Sequence, residues 1–159
     1  MKIRVGLGYD VHPLKEGHEF WLGGIKIPYT KGAVGHSDAD TLIHAICDAL
    51  LGAANLGDIG HHFPDTSEEF KNIDSKKLLK QVHSMLKKNG YEIGNVDCTV
   101  ALQEPKIAAY IPEMQKIISE ILKMPLKNIS IKATTTERLG FVGREEGVEA
   151  HTVCLLMGY

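Results

Sequence analysis

The stretch from Gly35 to Asp65, GHSDADTLIHAICDALLGAANLGDIGHHFPD, constrains the fold of this chain more than any other. Leu42, Ile46, Ala49, Leu50 and Ala53 recur at three- and four-residue spacing, which predicts an amphipathic helix from about Ala39 to Ala54. Asp40, His44 and Asp48 form a second, polar stripe at i, i+4 and i+8. Ser37, Asp38 or Asp40 can cap its start, while Gly57 and Gly60 end it and open a loop through Phe63, Pro64 and Asp65. A helix with one apolar stripe must lie on a second layer, which the rest of the chain has to supply.

Lys2 to Gly8 (KIRVGLG) alternates Ile3, Val5 and Leu7 with Arg4, Gly6 and Gly8, the period-two pattern of a strand. In an extended continuation Asp10 and His12 point to the same side. Phe20–Leu22 and Ile25–Ile27 flank Gly23-Gly24, a hairpin turn closed by Pro28, and Lys31–Gly35 reads as a loop. A second helix capped by Asp74 or Ser75 buries Leu78, Leu79, Val82 and Leu86 and stops at Asn89-Gly90. Val96–Leu102 is a strand. Pro105–Lys123 is a third helix, with Pro112 marking a fresh start within it and Pro125 breaking it. Ile129–Thr134 and Glu149–Met157 are the last strands, joined by the Gly-rich turn Leu139–Gly147. Strands alternating with helices predict a two-layer α/β (α+β) sandwich, a mixed sheet with helices on one face. At 159 residues, 43% of them hydrophobic, the chain fills one core, so a single domain over 1–159 is expected.

Eighteen basic against 20 acidic residues give a formal charge of −2, which speaks against bulk attraction to nucleic acid or a membrane surface. Cys47, Cys98 and Cys154 fit neither a disulfide framework nor a thiolate metal site, and read as small buried hydrophobes in a reducing compartment. No run approaches the roughly 18 apolar residues of a membrane span. The strand pattern begins by Ile3, leaving no room for a leader, so a cytoplasmic protein, or a mature form already trimmed, is expected.

Taken alone, Asp10-x-His12 reads more simply as a turn aspartate with a surface histidine, and His44 as a packed core histidine. Together they offer one hard oxygen and two imidazole nitrogens with a fourth tetrahedral position open, the donor set of a catalytic rather than a structural zinc. Asp40 or Asp48, one helical turn from His44, would hold its second ring nitrogen, unless both merely solvate a helix face. His61 and His62 read as solvated loop residues. On residue type alone Thr134-Thr135-Thr136 is β-propensity at a strand end, Glu137 a surface residue, and Lys106 an ordinary helix-start lysine.

The segments GYDVHPL (8–14), GGIKIPY (23–29), HSDAD (36–40), HAICDALLGAANLGDIG (44–60), FPDTS (63–67), GNVDCTV (94–100) and KATTTERLGFVGREEG (132–147) resemble, in order and almost end to end, the 2-C-methyl-D-erythritol 2,4-cyclodiphosphate synthase family. The resemblance implies a homotrimer with the sheets facing a central axis and active sites between neighbours. It implies conversion of 4-diphosphocytidyl-2-C-methyl-D-erythritol 2-phosphate to the cyclic diphosphate with release of CMP, in the non-mevalonate isoprenoid pathway.

Carried over by position, it implies zinc on Asp10, His12 and His44, and magnesium or manganese with the substrate diphosphate on Glu137. His36 and Thr135 would stabilise the transition state, with Ser37 beside the phosphates. Asp58, Ile59, Gly60, Phe63, Pro64, Asp65 and Leu78 would hold the erythritol. Leu102, Pro105, Lys106, Ile107, Ala108, Ala133 and Thr134, from the adjacent subunit, would hold the cytidine, and Thr136, Phe141 and Arg144 belong to the same substrate-binding turn. Tyr9, Arg144 and Glu146 would line one end of a central cavity, where Arg144 either binds an isoprenoid diphosphate or pairs with Glu146 across subunits. A metal-dependent phosphohydrolase using the same ligands and a non-catalytic nucleotide-binding module are the alternatives.

Overall fold

The structure, a computed structural model, describes residues 1–158. Its strands are β1 (Lys2–Glu16), β2 (Phe20–Leu22), β3 (Ile25–Ile27), β4 (Lys31–Ala33), β5 (Tyr91–Ala101), β6 (Ile129–Thr134) and β7 (Gly147–Gly158). The helices are α1 (Thr41–Ala54), the single turn α2 (Ile59–His62), α3 (Ser75–Lys88), α4 (Ile111–Leu122) and the single turn α5 (Gly140–Gly143). Five strands form a mixed sheet in the order β4-β1-β7-β5-β6, in which only β5 and β6 run parallel. The hairpin β2–β3 stands apart from that sheet.

The period-two pattern of the first strand is present, but the face it turns to the helical layer is the glycine face. A Cβ on Gly6 would lie 1.9 Å from the Ala49 carbonyl oxygen, and one on Gly8 would lie 1.9 Å from that of Ala45. The backbone of α1 therefore rests directly on β1. The large residues of the opposite parity, Ile3, Val5 and Leu7, are 61–68% exposed on the other face of the sheet.

Helix α1 is buried nearly all round, because α3 covers the side that β1 and β7 do not. Leu42, Ile43, Ile46, Leu50 and Leu51 make the centre of the core, with Leu79 and Leu86 of α3 and Met114 and Ile118 of α4. Asp40 is the cap, its carboxylate accepting the Ile43 N–H at 3.0 Å. The helix stops at Asn55 in the left-handed region (φ 58°) rather than at Gly57, since an asparagine tolerates that conformation. Gly23 and Gly24, at φ 61° and 83°, give β2–β3 the two left-handed residues its tight turn needs.

Three boundaries differ from the sequence pattern. Lys31–Ala33 is a short edge strand, paired with the end of β1 from Leu14↔Ala33 to Glu16↔Lys31, although it carries no apolar alternation. Val96 lies well inside β5, which begins at Tyr91 and is kinked by a bulge at Gly94, between Ile93 and Asn95. The third helix starts at Ile111, not Pro105: Pro112 has no N–H for the turn that would precede it, so residues 102–107 form a loop and Ala108–Tyr110 a 3-10 turn.

Glycine contact between β1 and α1 gives a paired expectation. Gly8→Ala should destabilise the protein by about 1–3 kcal/mol or more, as overpacking does. Gly52, on the outer side of α1 with open space at its Cβ position, is the control. Gly52→Ala should stabilise by up to about 1 kcal/mol, and urea denaturation of both variants measures the two signs.

Candidate metal centre

The direct seating of α1 on β1 brings together three residues from distant parts of the chain. Asp10 Oδ2 lies 3.0 Å from His12 Nδ1 and 3.2 Å from His44 Nδ1, and one ligand atom from each residue falls within 4.8 Å of the others. His44 is buried, while Asp10 and His12 are half-buried at the mouth. Burial pushes the Asp10 carboxyl up, but hydrogen bonds and charge from His12 and His44 outweigh it and hold the carboxyl below its usual range. Burial likewise pushes His44 down, and its bond to Asp10 outweighs that, leaving the imidazole above its ordinary value. A carboxylate oxygen and two imidazole nitrogens converging on one point suit a borderline divalent cation such as zinc.

The cluster opens on a cavity of about 400 Å³. His36, Ser37, Ile59, Gly60, Phe63, Asp65 and Leu78 line it, together with Gly35, Phe70 and Ile73. Two members of the expected erythritol set do not: Pro64 lies outside the lining, and Asp58 caps α2 by accepting the His61 N–H at 2.9 Å. His36 Nε2 lies 3.0 Å from the Ser67 carbonyl oxygen.

Neither Asp40 nor Asp48 holds the second nitrogen of His44. Asp40 is fully buried and accepts the N–H groups of Gly23 (2.9 Å), Gly24 (2.7 Å) and Ile43, so it ties the β2–β3 hairpin to the start of α1. Burial, then the nearby Asp38 carboxylate, push its carboxyl up against those N–H groups. Asp48 accepts the Ile59 N–H at 2.8 Å and fixes the start of α2. The groups at His44 Nε2 are the hydroxyls of Ser75 at 2.8 Å and Ser37 at 3.1 Å. Helical spacing pointed to the aspartates; Ser75 comes from a different helix and left no periodic signal.

A second cavity of about 170 Å³ gathers Leu102, Pro105, Lys106, Ile107, Ala108, Ala133, Thr134 and Thr135 around Gln103. It shares no lining residue with the first. Gln103, inside the segment Leu102–Ala108 but given no role of its own there, accepts the Arg138 N–H on Oε1 at 3.1 Å and so ties this loop to the turn after β6. In that turn the Glu137 N–H reaches Thr135 Oγ1 at 3.2 Å, and Thr136 Oγ1 donates to the Leu139 carbonyl at 2.7 Å. Glu137 is exposed, with φ 54°, and is not a member of the Asp/His/His cluster.

Phe141 is 38% exposed and closes over Gly147, where a Cβ would lie 2.9 Å from its ring. Arg144 pairs with Glu146 of its own chain through two contacts of 3.0 and 3.2 Å. Tyr9 joins neither: its hydroxyl donates to Glu149 at 2.8 Å and its ring rests against His151. Another hollow, of about 510 Å³, shares Gly35 and Ser37 with the cavity of the cluster, and among the described residues it gathers no such ligand set. Among the described residues no helix is long and apolar enough to cross a membrane.

An α/β chain with this sheet and this cluster has close counterparts. Residues 3–157 match the YgbB family, and the chain belongs to that family. A curated relative from Parabacteroides distasonis, 60% identical across 98% of this chain and 97% of its own length, is named 2-C-methyl-D-erythritol 2,4-cyclodiphosphate synthase. The bifunctional IspDF from Campylobacter jejuni superposes with a TM-score of 0.95 at 42% identity over 99% of this chain, which spans 43% of the length of that longer protein. IspF of Plasmodium falciparum, solved as a CDP complex, superposes with a TM-score of 0.87 at 36% identity over 98% of this chain and 96% of its own.

Asp40 and Asp48 should separate in the size of their effects. Asp40→Ala strands three N–H groups and should cost about 3 kcal/mol of stability, read from urea denaturation of metal-free protein. Asp48→Ala, which frees one, should cost about 1 kcal/mol on the same scale.

Proposed function

We propose that this chain is a metal-dependent cyclodiphosphate synthase, a lyase of the non-mevalonate isoprenoid pathway. It converts 4-diphosphocytidyl-2-C-methyl-D-erythritol 2-phosphate to 2-C-methyl-D-erythritol 2,4-cyclodiphosphate and CMP. An oxygen of the 2-phosphate attacks the β-phosphorus, the bond from that phosphorus to the bridging oxygen breaks, and CMP leaves with the electron pair. The observation that carries this is the Asp10/His12/His44 cluster opening on a polyol-sized cavity, in a chain 60% identical to a curated synthase over nearly its whole length.

Zinc held by Asp10, His12 and His44, with magnesium or manganese at Glu137, would supply Lewis-acid polarisation and charge neutralisation for the two phosphates. The chain's own part is positioning, since phosphoryl transfer asks for alignment more than for covalent chemistry. His36 and Ser37 stand at the same cavity as the cluster and donate to the reacting phosphates. Asp58, Ile59, Gly60, Phe63, Pro64, Asp65 and Leu78 hold the erythritol, with Ile59, Gly60, Phe63, Asp65 and Leu78 lining the cavity itself and Asp58 also capping α2.

Leu102, Pro105, Lys106, Ile107, Ala108, Ala133 and Thr134 form the cytidine site, with Thr135, Thr136 and Phe141 on the adjoining turn. The two cavities share no lining residue, which supports a complete site that joins the metal cavity of one subunit to the nucleotide cavity of the next. A homotrimer with the sheets inward also covers the row Ile3, Val5, Leu7 and Val11 on β1 and Val153 on β7, which one chain leaves exposed. The CDP in the Plasmodium falciparum neighbour supports a cytidine-diphosphate-linked substrate. In the central cavity an isoprenoid diphosphate would compete with Glu146 for Arg144, beside Tyr9. Residues 1–159 serve as one domain, and buried free cysteines suit the cytoplasm.

Purified protein given the substrate and magnesium should release CMP and cyclic diphosphate in equal amounts; CDP or linear phosphates would mark a hydrolase, and no turnover a binding module. Asp10→Asn should lose zinc and fall to background activity, measured by metal analysis beside the assay. Thr135→Ala should lower kcat about 10²–10³-fold, as loss of one transition-state donor does, with zinc content unchanged. Mixing Asp10→Asn subunits with Lys106→Ala subunits should restore part of the activity, which a site contained in one chain would not do.

A further inference from the structure

We propose that Asp38 and Ser75 form a hydrogen-bond chain of fixed polarity that sets the tautomer of His44 and leaves its Nδ1 as the atom that faces Asp10. The inference deepens the metal-binding part of the function proposed above and rests on it. It assigns positioning roles to two residues that helix capping alone would otherwise explain.

The polarity follows from counting donors. Asp38 Oδ1 accepts the Asp40 N–H at 3.1 Å, and Oδ2 accepts the Ser75 N–H at 2.9 Å, so the carboxylate stands among donors and acts only as acceptor. The Ser75 hydroxyl, in close contact with Asp38 Oδ1, must therefore donate to it. With that proton committed, Ser75 Oγ has only lone pairs to offer His44 Nε2 at 2.8 Å, and Nε2 must carry the proton. Its partner nitrogen Nδ1 is then the one with a lone pair for a cation, and Nδ1 is the nitrogen that lies 3.2 Å from Asp10 Oδ2. The reverse polarity would leave Asp38 Oδ1 against Ser75 Oγ with no proton between them. Ser75 is fully buried and His44 nearly so, which leaves no room for water to replace the hydroxyl.

Ser37 is the other hydroxyl at Nε2, at 3.1 Å. It also accepts the Ala39 N–H at 3.2 Å, and its own proton is uncommitted. With Ser75 holding His44, Ser37 is free to turn toward a phosphate in the cavity without releasing the imidazole. The chain also explains why α3 begins where it does: its first residue supplies both the N–H and the hydroxyl that Asp38 binds.

The test uses zinc alone, titrated against a competing chelator, together with 15N spectra of the histidine rings. In wild-type protein loaded with zinc, His44 Nε2 should carry a proton. Ser75→Ala should bind zinc about 10–100-fold more weakly, the effect of losing a group that orients a metal-bound histidine. Its circular dichroism should be unchanged. A purely structural cap would lower stability and leave zinc affinity and tautomer alone, so wild-type affinity in a folded Ser75→Ala overturns the inference. If that variant does not fold, the wild-type spectrum decides: an unprotonated His44 Nε2 overturns it, a protonated one upholds it. Wild-type protein that binds no zinc would instead remove the metal-binding reading, and this inference with it.

Discussion

The contact on which the rest of this molecule depends is between two backbones. Gly6 and Gly8 on β1 let α1 settle until the carbonyl oxygens of Ala45 and Ala49 occupy space that any side chain on the strand would fill. That approach fixes the distance between Asp10 and His12 on the strand and His44 on the helix. A cluster whose ligand atoms must fall within a few ångströms cannot tolerate a helix displaced by a methyl group. The alanines of α1 that face the strand, Ala45, Ala49 and Ala53, belong to the same device, since larger residues would hold the two elements apart.

Around this contact the segment before α1 acts as a junction. Asp40 joins the hairpin turn to the helix, and Asp38 joins the helix to α3 through Ser75. His36 and Ser37, just upstream, are thereby held at the cavity from a loop anchored at both sides: the Asp38 N–H donates to the Ile73 carbonyl, and the Asn72 N–H donates to that of His36. Precise placement of groups on a loop is costly in order, and here the Asp38 and Asp40 carboxylates and backbone bonds provide it rather than regular secondary structure.

What the sequence made legible, and what it hid, divides along physical lines. Periodicity exposed α1, α3 and the outer strands because burial of one face imposes a repeat on the residues. It also brought Asp10 and His12 to one side, since parity along a strand is a local property. It misassigned Asp40 and Asp48 because i, i+4 spacing says that two side chains are neighbours and not which bonds they prefer, and each found backbone N–H groups left open by a turn or a helix start. Ser75 and Gln103 were hidden for the opposite reason: their partners, His44 and the Arg138 N–H, lie 31 and 35 residues away, and no local pattern encodes such contacts. Lys106 and Glu137 drew attention only through the family resemblance, as both are exposed in one chain.

Strand parity carries one further consequence. Gly6, Gly8, Asp10 and His12 alternate on the face of β1 that meets α1, whereas Ile3, Val5, Leu7, Tyr9 and Val11 alternate on the other. The glycines cannot exchange faces with the large residues, because α1 has no space for them. The large apolar side chains are therefore forced outward by the same close approach that builds the Asp10/His12/His44 cluster. A register slip of one residue would lose both at once. On this account the proposed assembly and the proposed site are not separate adaptations of the fold: one strand writes two of the three proposed ligands on its even positions and the surface that a neighbouring subunit would cover on its odd ones. The close approach thus fixes which face the large apolar residues take, and in the proposed assembly that face is the one a neighbouring subunit covers.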